Sequence, residues 1–123
     1  MNNNVCSSGN CGTVAGGVGN CVSQIAGFVG GGSSNSVAAS AATIAGGVDN
    51  TASSKESFIG GGTKNTIKTA HGCASVVGTN INSVSGKLLH ANSLYLVLSD
   101  IPTSDPGVDG VVWNSSGTLK VSQ

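Results

Sequence analysis

An asparagine returns every fifteen residues through the first two thirds of this chain, at Asn20, Asn35, Asn50, Asn65 and Asn80. Two glycine columns keep step with it, Gly16, Gly31, Gly46 and Gly61 followed by Gly17, Gly32, Gly47 and Gly62. A β-branched residue stands just ahead of them, as Val14, Val29, Ile44 and Ile59. Self-similarity at a fixed period means that one supersecondary unit is stacked on copies of itself. A slower beat of thirty residues overlies the first. Thr13-Val14-Ala15 returns as Thr43-Ile44-Ala45, and Phe28-Val29-Gly30 returns as Phe58-Ile59-Gly60. The pattern predicts a short solenoid.

Each unit reads as two short strands. One holds the β-branched residue before the glycines. The other follows the asparagine, where Val22, Val37, Ala52 and Ile67 form a second apolar column. The Gly-Gly-x-x-Asn segment between them is the turn, because glycine and asparagine accept positive φ at little cost. The asparagines are also placed to stack their amides from coil to coil. Two strands and two turns use up fifteen residues, which makes a flat roll rising about 4.8 Å per coil. The fifth unit decays: Ala74 takes the β-branched column, Val76 and Val77 the glycine columns, and Asn80 keeps its place. On this reading the repeats span residues 13–82 within a roll domain of 1–82.

Composition then narrows the possibilities. Charged residues are 8% of the chain, the five lysines cancel the five acids, and arginine is absent. A nucleic-acid partner is therefore not expected, since phosphates need a basic stripe. Proline is rare, at 2 residues, and the 20 glycines are periodic, which argues against a flexible linker. The aromatic residues are Phe28, Phe58, Tyr95 and Trp113 alone. So few large side chains suggest that one chain cannot build a conventional core, and that the roll covers an apolar side with copies of itself, as a cyclic oligomer. No apolar run is long enough to span a membrane, and Met1-Asn2-Asn3-Asn4-Val5 has no features of a signal peptide.

Candidate chemistry is sparse. His71 and His90 lie in different segments and read as polar surface or interface residues; in a trimer, His90 is the better placed to form a ring of three. Cys6 and Cys21 are one period apart. A disulfide between them is sterically conceivable, whereas the default without an export signal is free thiols, as for Cys11 and Cys73. Neither the cysteine spacing nor Asp100, Asp105 and Asp109 fits a metal site. Gly17-Val18-Gly19 recurs every period and precedes no helix, so it is not a phosphate loop. Lys55, Glu56, Lys64 and Lys68 read as a solvated face, and Ser33, Ser34, Asp49, Thr63 and Lys64 as outer-turn contact residues. No cofactor, metal or catalytic residue is expected.

The chain changes character at residue 83. Residues 83–99 read as a neck followed by a buried strand, Leu94-Tyr95-Leu96-Val97-Leu98. Residues 100–123 read as a proline-bearing connector and a β-hairpin, Val111–Asn114 with Thr118–Ser122, around Ser115-Ser116-Gly117. Trp113 reads as the core anchor of this tail, with receptor contact as the other role open to it.

Two resemblances follow from these motifs. Ala42-Thr43-Ile44-Ala45-Gly46-Gly47-Val48-Asp49-Asn50-Thr51-Ala52 resembles the left-handed parallel β-roll repeats of trimeric autotransporter adhesin heads, and equally repeats in fibre-like virus proteins. The segment from Ile101 to Ser122, carrying Pro102, Asp105, Pro106, Gly110, Trp113, Gly117 and Leu119, resembles a short C-terminal tail of many bacteriophage structural proteins. Asp109 stands where that tail usually has alanine.

The resemblances imply an all-β, homotrimeric virion component of fibre, spike or capsid-surface type. It would be made in the host cytoplasm and would bind other virion proteins, with a host cell-surface glycan or protein as a further partner. The alternative is a cellular trimeric adhesin or a self-assembling extracellular filament subunit. An enzyme such as a polysaccharide depolymerase is disfavoured, because the repeats lack the paired carboxylates that glycoside hydrolysis normally uses.

Overall fold

The computed structural model describes residues 2–5, 12–92 and 101–123. In chain order the elements are β1 (Asn4–Val5), β2 (Thr13–Val14), β3 (Cys21–Val22), β4 (Phe28–Val29), β5 (Ser36–Val37), β6 (Thr43–Ile44), β7 (Thr51–Ala52), β8 (Phe58–Ile59), β9 (Thr66–Ile67), β10 (Ser75–Val77), β11 (Leu89–Ala91), β12 (Val112–Ser115) and β13 (Thr118–Val121). Through β9 the chain alternates between two parallel sheets, β1-β3-β5-β7-β9 and β2-β4-β6-β8-β10-β11, so each pair of strands is one coil. β12 and β13 form a separate antiparallel pair. The fold is thus the all-β parallel solenoid with a C-terminal hairpin that the period predicts.

Register explains why the repeat is fifteen. Phe28 lies opposite Thr43 and Thr43 opposite Phe58, while Val29, Ile44 and Ile59 stack directly. Cys21, Ser36, Thr51 and Thr66 pair in the same way in the other sheet. The turn between the sheets is more ordered than a simple bend, because Val18, Ser33, Val48 and Thr63 bridge to one another as a third, single-residue ladder.

In these strands alternate residues face opposite sides, and the second residue of each pair points inward. Val22, Val29, Val37, Ile44, Ala52, Ile59, Ile67 and Val76 are completely buried. Each fully buried Val or Ile stabilises by about 1.5–3 kcal/mol. Here the structure corrects the sequence reading: both apolar columns face a narrow interior of their own coil. A single chain covers them, so they do not by themselves call for a partner. What remains outside is a different set, including Val18, Phe28, Val48, Phe58, Val77 and Leu89.

The coil at the end of the regular repeats also differs from expectation. Ser75 pairs with Phe58 and Val76 with Ile59, a step of seventeen, so Val76 rather than Ala74 holds the β-branched column. Asn82 bridges Thr66, a step of sixteen, so one residue of the excess is given back within the same coil. Asn80 consequently slides into the position of Ser34, Asp49 and Lys64, all with φ near +56°, and donates its N–H to Thr63 O. The roll also runs past residue 82, because β11 pairs in parallel with β10 through Ser75–Leu89, Val76–His90 and Val77–Ala91. The expected strand at residues 94–98 lies outside the described residues.

In the tail, Val112 pairs with Val121 and Ser115 with Thr118. The two loop residues, Ser116 and Gly117, have φ of 52° and 90°. Positive φ at both positions is the mirror-image turn whose twist suits a two-residue hairpin.

Candidate functional site

The most ordered constellation in the molecule is the asparagine column. Asn20, Asn35, Asn50 and Asn65 are fully buried. Asn50 illustrates the unit. Its side-chain Nδ2 donates to Asn35 Oδ1 at 3.0 Å, Gly46 O at 3.1 Å and Gly62 O at 3.0 Å. Its Oδ1 accepts the backbone N–H of Asn65 at 3.1 Å and the Asn65 Nδ2 at 3.0 Å. Only a short amide can donate to carbonyls and accept from amides at one site; an aspartate could not donate. Bonds in such a chain polarise one another and leave few buried polar groups unpaired.

The second glycine column follows from the same geometry. Gly47 has φ of 100°, and a Cβ there would overlap the Gly62 carbonyl oxygen and lie 2.7 Å from Asn50 Nδ2. Gly17, Gly32 and Gly62 are enclosed in the same way.

The ladder's ends differ from the sequence expectation. At the start, Asn3 Oδ1 accepts from the Asn20 N–H at 3.1 Å and from Asn20 Nδ2 at 3.2 Å. At the finish, Asn65 Oδ1 accepts the N–H of Ile81 at 3.0 Å. Asn80 therefore is not a member, and Asn3 is. Gly78 takes the next glycine position, since its carbonyl accepts from Asn65 Nδ2 at 2.7 Å; the sequence reading had placed Val77 there. Asn3 sits seventeen residues from Asn20 amid Asn2 and Asn4, with no glycine pair ahead of it. The period alone could not select it.

The inward columns turn polar at the top. Ser83 stands over Ile67 and is fully buried. Its Oγ accepts the Lys68 N–H at 3.0 Å and lies 2.6 Å from His71 Nδ1. His90 occupies the inward column above Val76, with Nε2 donating to Ser85 O at 2.9 Å. Both histidines are thus part of the last coils, at different corners.

Cys21 is aligned with Asn4 and Ser36, while Cys6 and Cys11 lie outside the described residues. The exposed Cys73 thiol donates to Glu56 Oε2 at 3.4 Å. That hydrogen bond, with a smaller effect of burial, raises its pKa, so it is not an activated thiolate. Lys55, Glu56, Lys64 and Lys68 are exposed as expected, and so are Ser34 and Asp49, while Ser33 and Thr63 are half-buried on the third ladder. A shallow groove of about 490 Å³ crosses the coils beside Gln24, Ala38, Ser40, Ser53, Lys55 and Thr69. Among the described residues no group of three His, Cys, Asp or Glu side chains could hold a metal ion. No described helix is long and apolar enough to cross a membrane.

The tail motif is a second, smaller constellation. Asp105 Oδ1 accepts the Gly107 N–H at 2.9 Å and the Ser122 hydroxyl at 2.5 Å. The Ser122 hydroxyl, and then the Gly107 N–H, hold the Asp105 carboxyl below the usual carboxylate range. Pro102 O accepts from the Asn114 N–H at 2.8 Å, and Ser122 O from the Gly110 N–H at 2.9 Å. Pro106 precedes Gly107, whose φ of 64° turns the chain back toward Asp105. Trp113 is half-buried, with Lys120 Nζ 5.3 Å from its ring centroid, a cation–π distance. Leu119 is exposed. The residues the motif singles out are therefore mostly the ties and turns of one small module. Compared with protein-family models, with curated proteins and with solved structures, the chain matches none of them.

Proposed function

We propose that this chain is a structural component of a phage virion: a short, homotrimeric fibre or surface projection that also contacts the host surface. The observation that carries the reading is the continuous ladder from Asn3 to the Ile81 N–H, fully buried from Asn20 to Asn65. It turns the roll into a rod stiffened by main-chain and amide bonds. A rod of this kind suits mechanical projection, and the repeated outer turns at Ser34, Asp49 and Lys64 suit many weak contacts acting together. The TSDP-containing tail, tied on itself by Asp105, supports placement among virion proteins through its resemblance to phage tails. The partners are copies of the chain, other virion proteins and a host surface glycan or protein, and no catalytic role is assigned.

Mass spectrometry of purified particles, with gold-labelled antibody against the chain, tests the reading. The expected result is a fixed copy number at one site on the particle, and a native mass of three chains for the isolated protein. Absence from purified particles would sink the virion assignment. Growth into long fibres in scattering would favour the filament alternative.

A further inference from the structure

The thirty-residue beat takes physical form on two outer faces. Along the outside of the six-stranded sheet the register reads Thr13, Phe28, Thr43, Phe58, Ser75, Leu89, alternating small and large. The third ladder reads Val18, Ser33, Val48, Thr63, and alternates in the opposite phase. The coil that carries Phe28 carries Ser33, the coil of Thr43 carries Val48, and the coil of Phe58 carries Thr63. The large members are exposed: Phe28 by 37%, Phe58 by 41%, Val18 by 52% and Val48 by 42%. No residue of either series is charged.

The corner between these faces carries the first glycine column. Gly16 and Gly46 have ordinary negative φ. A Cβ on Gly16 would meet nothing within 4 Å, and one on Gly46 only the Gly31 oxygen at 3.9 Å. Among the described residues, nothing in the same chain requires glycine at these two positions. A close approach from outside would require it.

We infer that the occupant is a second copy of this chain, whose third ladder packs at equal height against the six-stranded sheet's outer face, with the Gly16–Gly46 corner innermost. At equal height each phenylalanine meets serine or threonine, and each threonine meets valine. A slip of one coil would set Phe against Val and leave Thr against Ser. Cyclic symmetry about an axis along the roll keeps the copies at equal height and uses both faces of every copy.

Area favours the same arrangement. One face of six coils by three residues covers roughly 300 Å², well short of the ~800 Å² per partner of a stable dimer, so neither face suffices alone. This inference rests on the trimer reading above and adds which faces meet and in which register.

Two experiments test it. Gly46→Val should leave the β-sheet circular dichroism in place while the native mass falls from three chains to one. Separately, in a background with Cys6, Cys11, Cys21 and Cys73 replaced by serine, a Phe58→Cys chain is co-refolded with a Thr63→Cys chain and oxidised. Cross-linked pairs should form in the mixture and in neither chain alone. Cross-linking of Phe58→Cys with itself would show that like faces meet, and would overturn the inference, as would a mixture that stays uncross-linked within an intact trimer. A wild-type chain that is monomeric would overturn the trimer reading itself, so the two failures are distinguishable.

Discussion

The middle coils and the C-terminal tail are both held by side-chain hydrogen bonds, but they distribute them differently. In the coils, every asparagine serves the carbonyls of its own coil and its neighbour, and the next coil repeats the pattern. In the tail, a single carboxylate ties Gly107 to Ser122. Loss of one ladder member strands groups in two adjacent coils, whereas loss of the tail tie stays local. Repetition makes a structure stiff and also makes each of its members difficult to replace.

The sharpest way to break this comparison is at the glycines. Gly47→Ala must place a Cβ on the Gly62 carbonyl at φ of 100°, and should cost more than about 4 kcal/mol or prevent folding. Chemical denaturation reads this directly, and a folded variant with an unchanged midpoint would refute the ladder geometry. Next, Asn50→Ala strands the Asn65 backbone N–H and the Gly46 carbonyl, which should cost about 2–6 kcal/mol at about 1–3 kcal/mol for each group left unpaired. A loss below about 1 kcal/mol would mean that water replaces the amide.

The tail should respond to acid before the coils do. The folded Asp105 carboxyl has a pKa below its unfolded value of about 3.9. Its contribution is therefore complete above about pH 5 and is lost as pH falls through the depressed value. The Gly107 amide resonance should move in that window, and Asp105→Asn should abolish the movement. A tail signal that is flat in wild type down to pH 2 would show that the tie carries nothing. The smallest effect belongs to Asn80. It lies outside the ladder at φ of 57°, so Asn80→Gly should stay within about 1 kcal/mol of wild type. Melting temperatures of Asn80→Gly and Asn50→Ala side by side separate a shared column from a shifted one.

Much of the fold was legible because stacking imposes its period on the chain. Val29, Ile44 and Ile59 had to recur at fifteen to stay on one inward line, and Asn20 through Asn65 recur for the same reason. The hairpin was legible from local chemistry, although Ser115 joins the strand and leaves Ser116 and Gly117 as the turn. What misled was the coil spanning Ile67 to Asn82. Two residues are inserted before Ala74 and one is given back before Gly78, which leaves Asn80 in phase by number but not in space. The ladder's first member was hidden for a similar reason, since Asn3 lies at a spacing of seventeen. The expectation that one chain lacks a core of its own was also overturned. Counting large side chains suggested that no private core exists, yet small β-branched residues fill a narrow coil completely.

By itself, the sequence determined that the chain is a stack of like units and which residues of the regular coils must align, because a fixed period keeps each column in register from one coil to the next. The direction each column faces, the true ends of the asparagine ladder and the outward placement of the two alternating series were decided only by the tertiary structure. Which side of a coil is inside depends on how tightly the chain curls, and no single period contains that curvature.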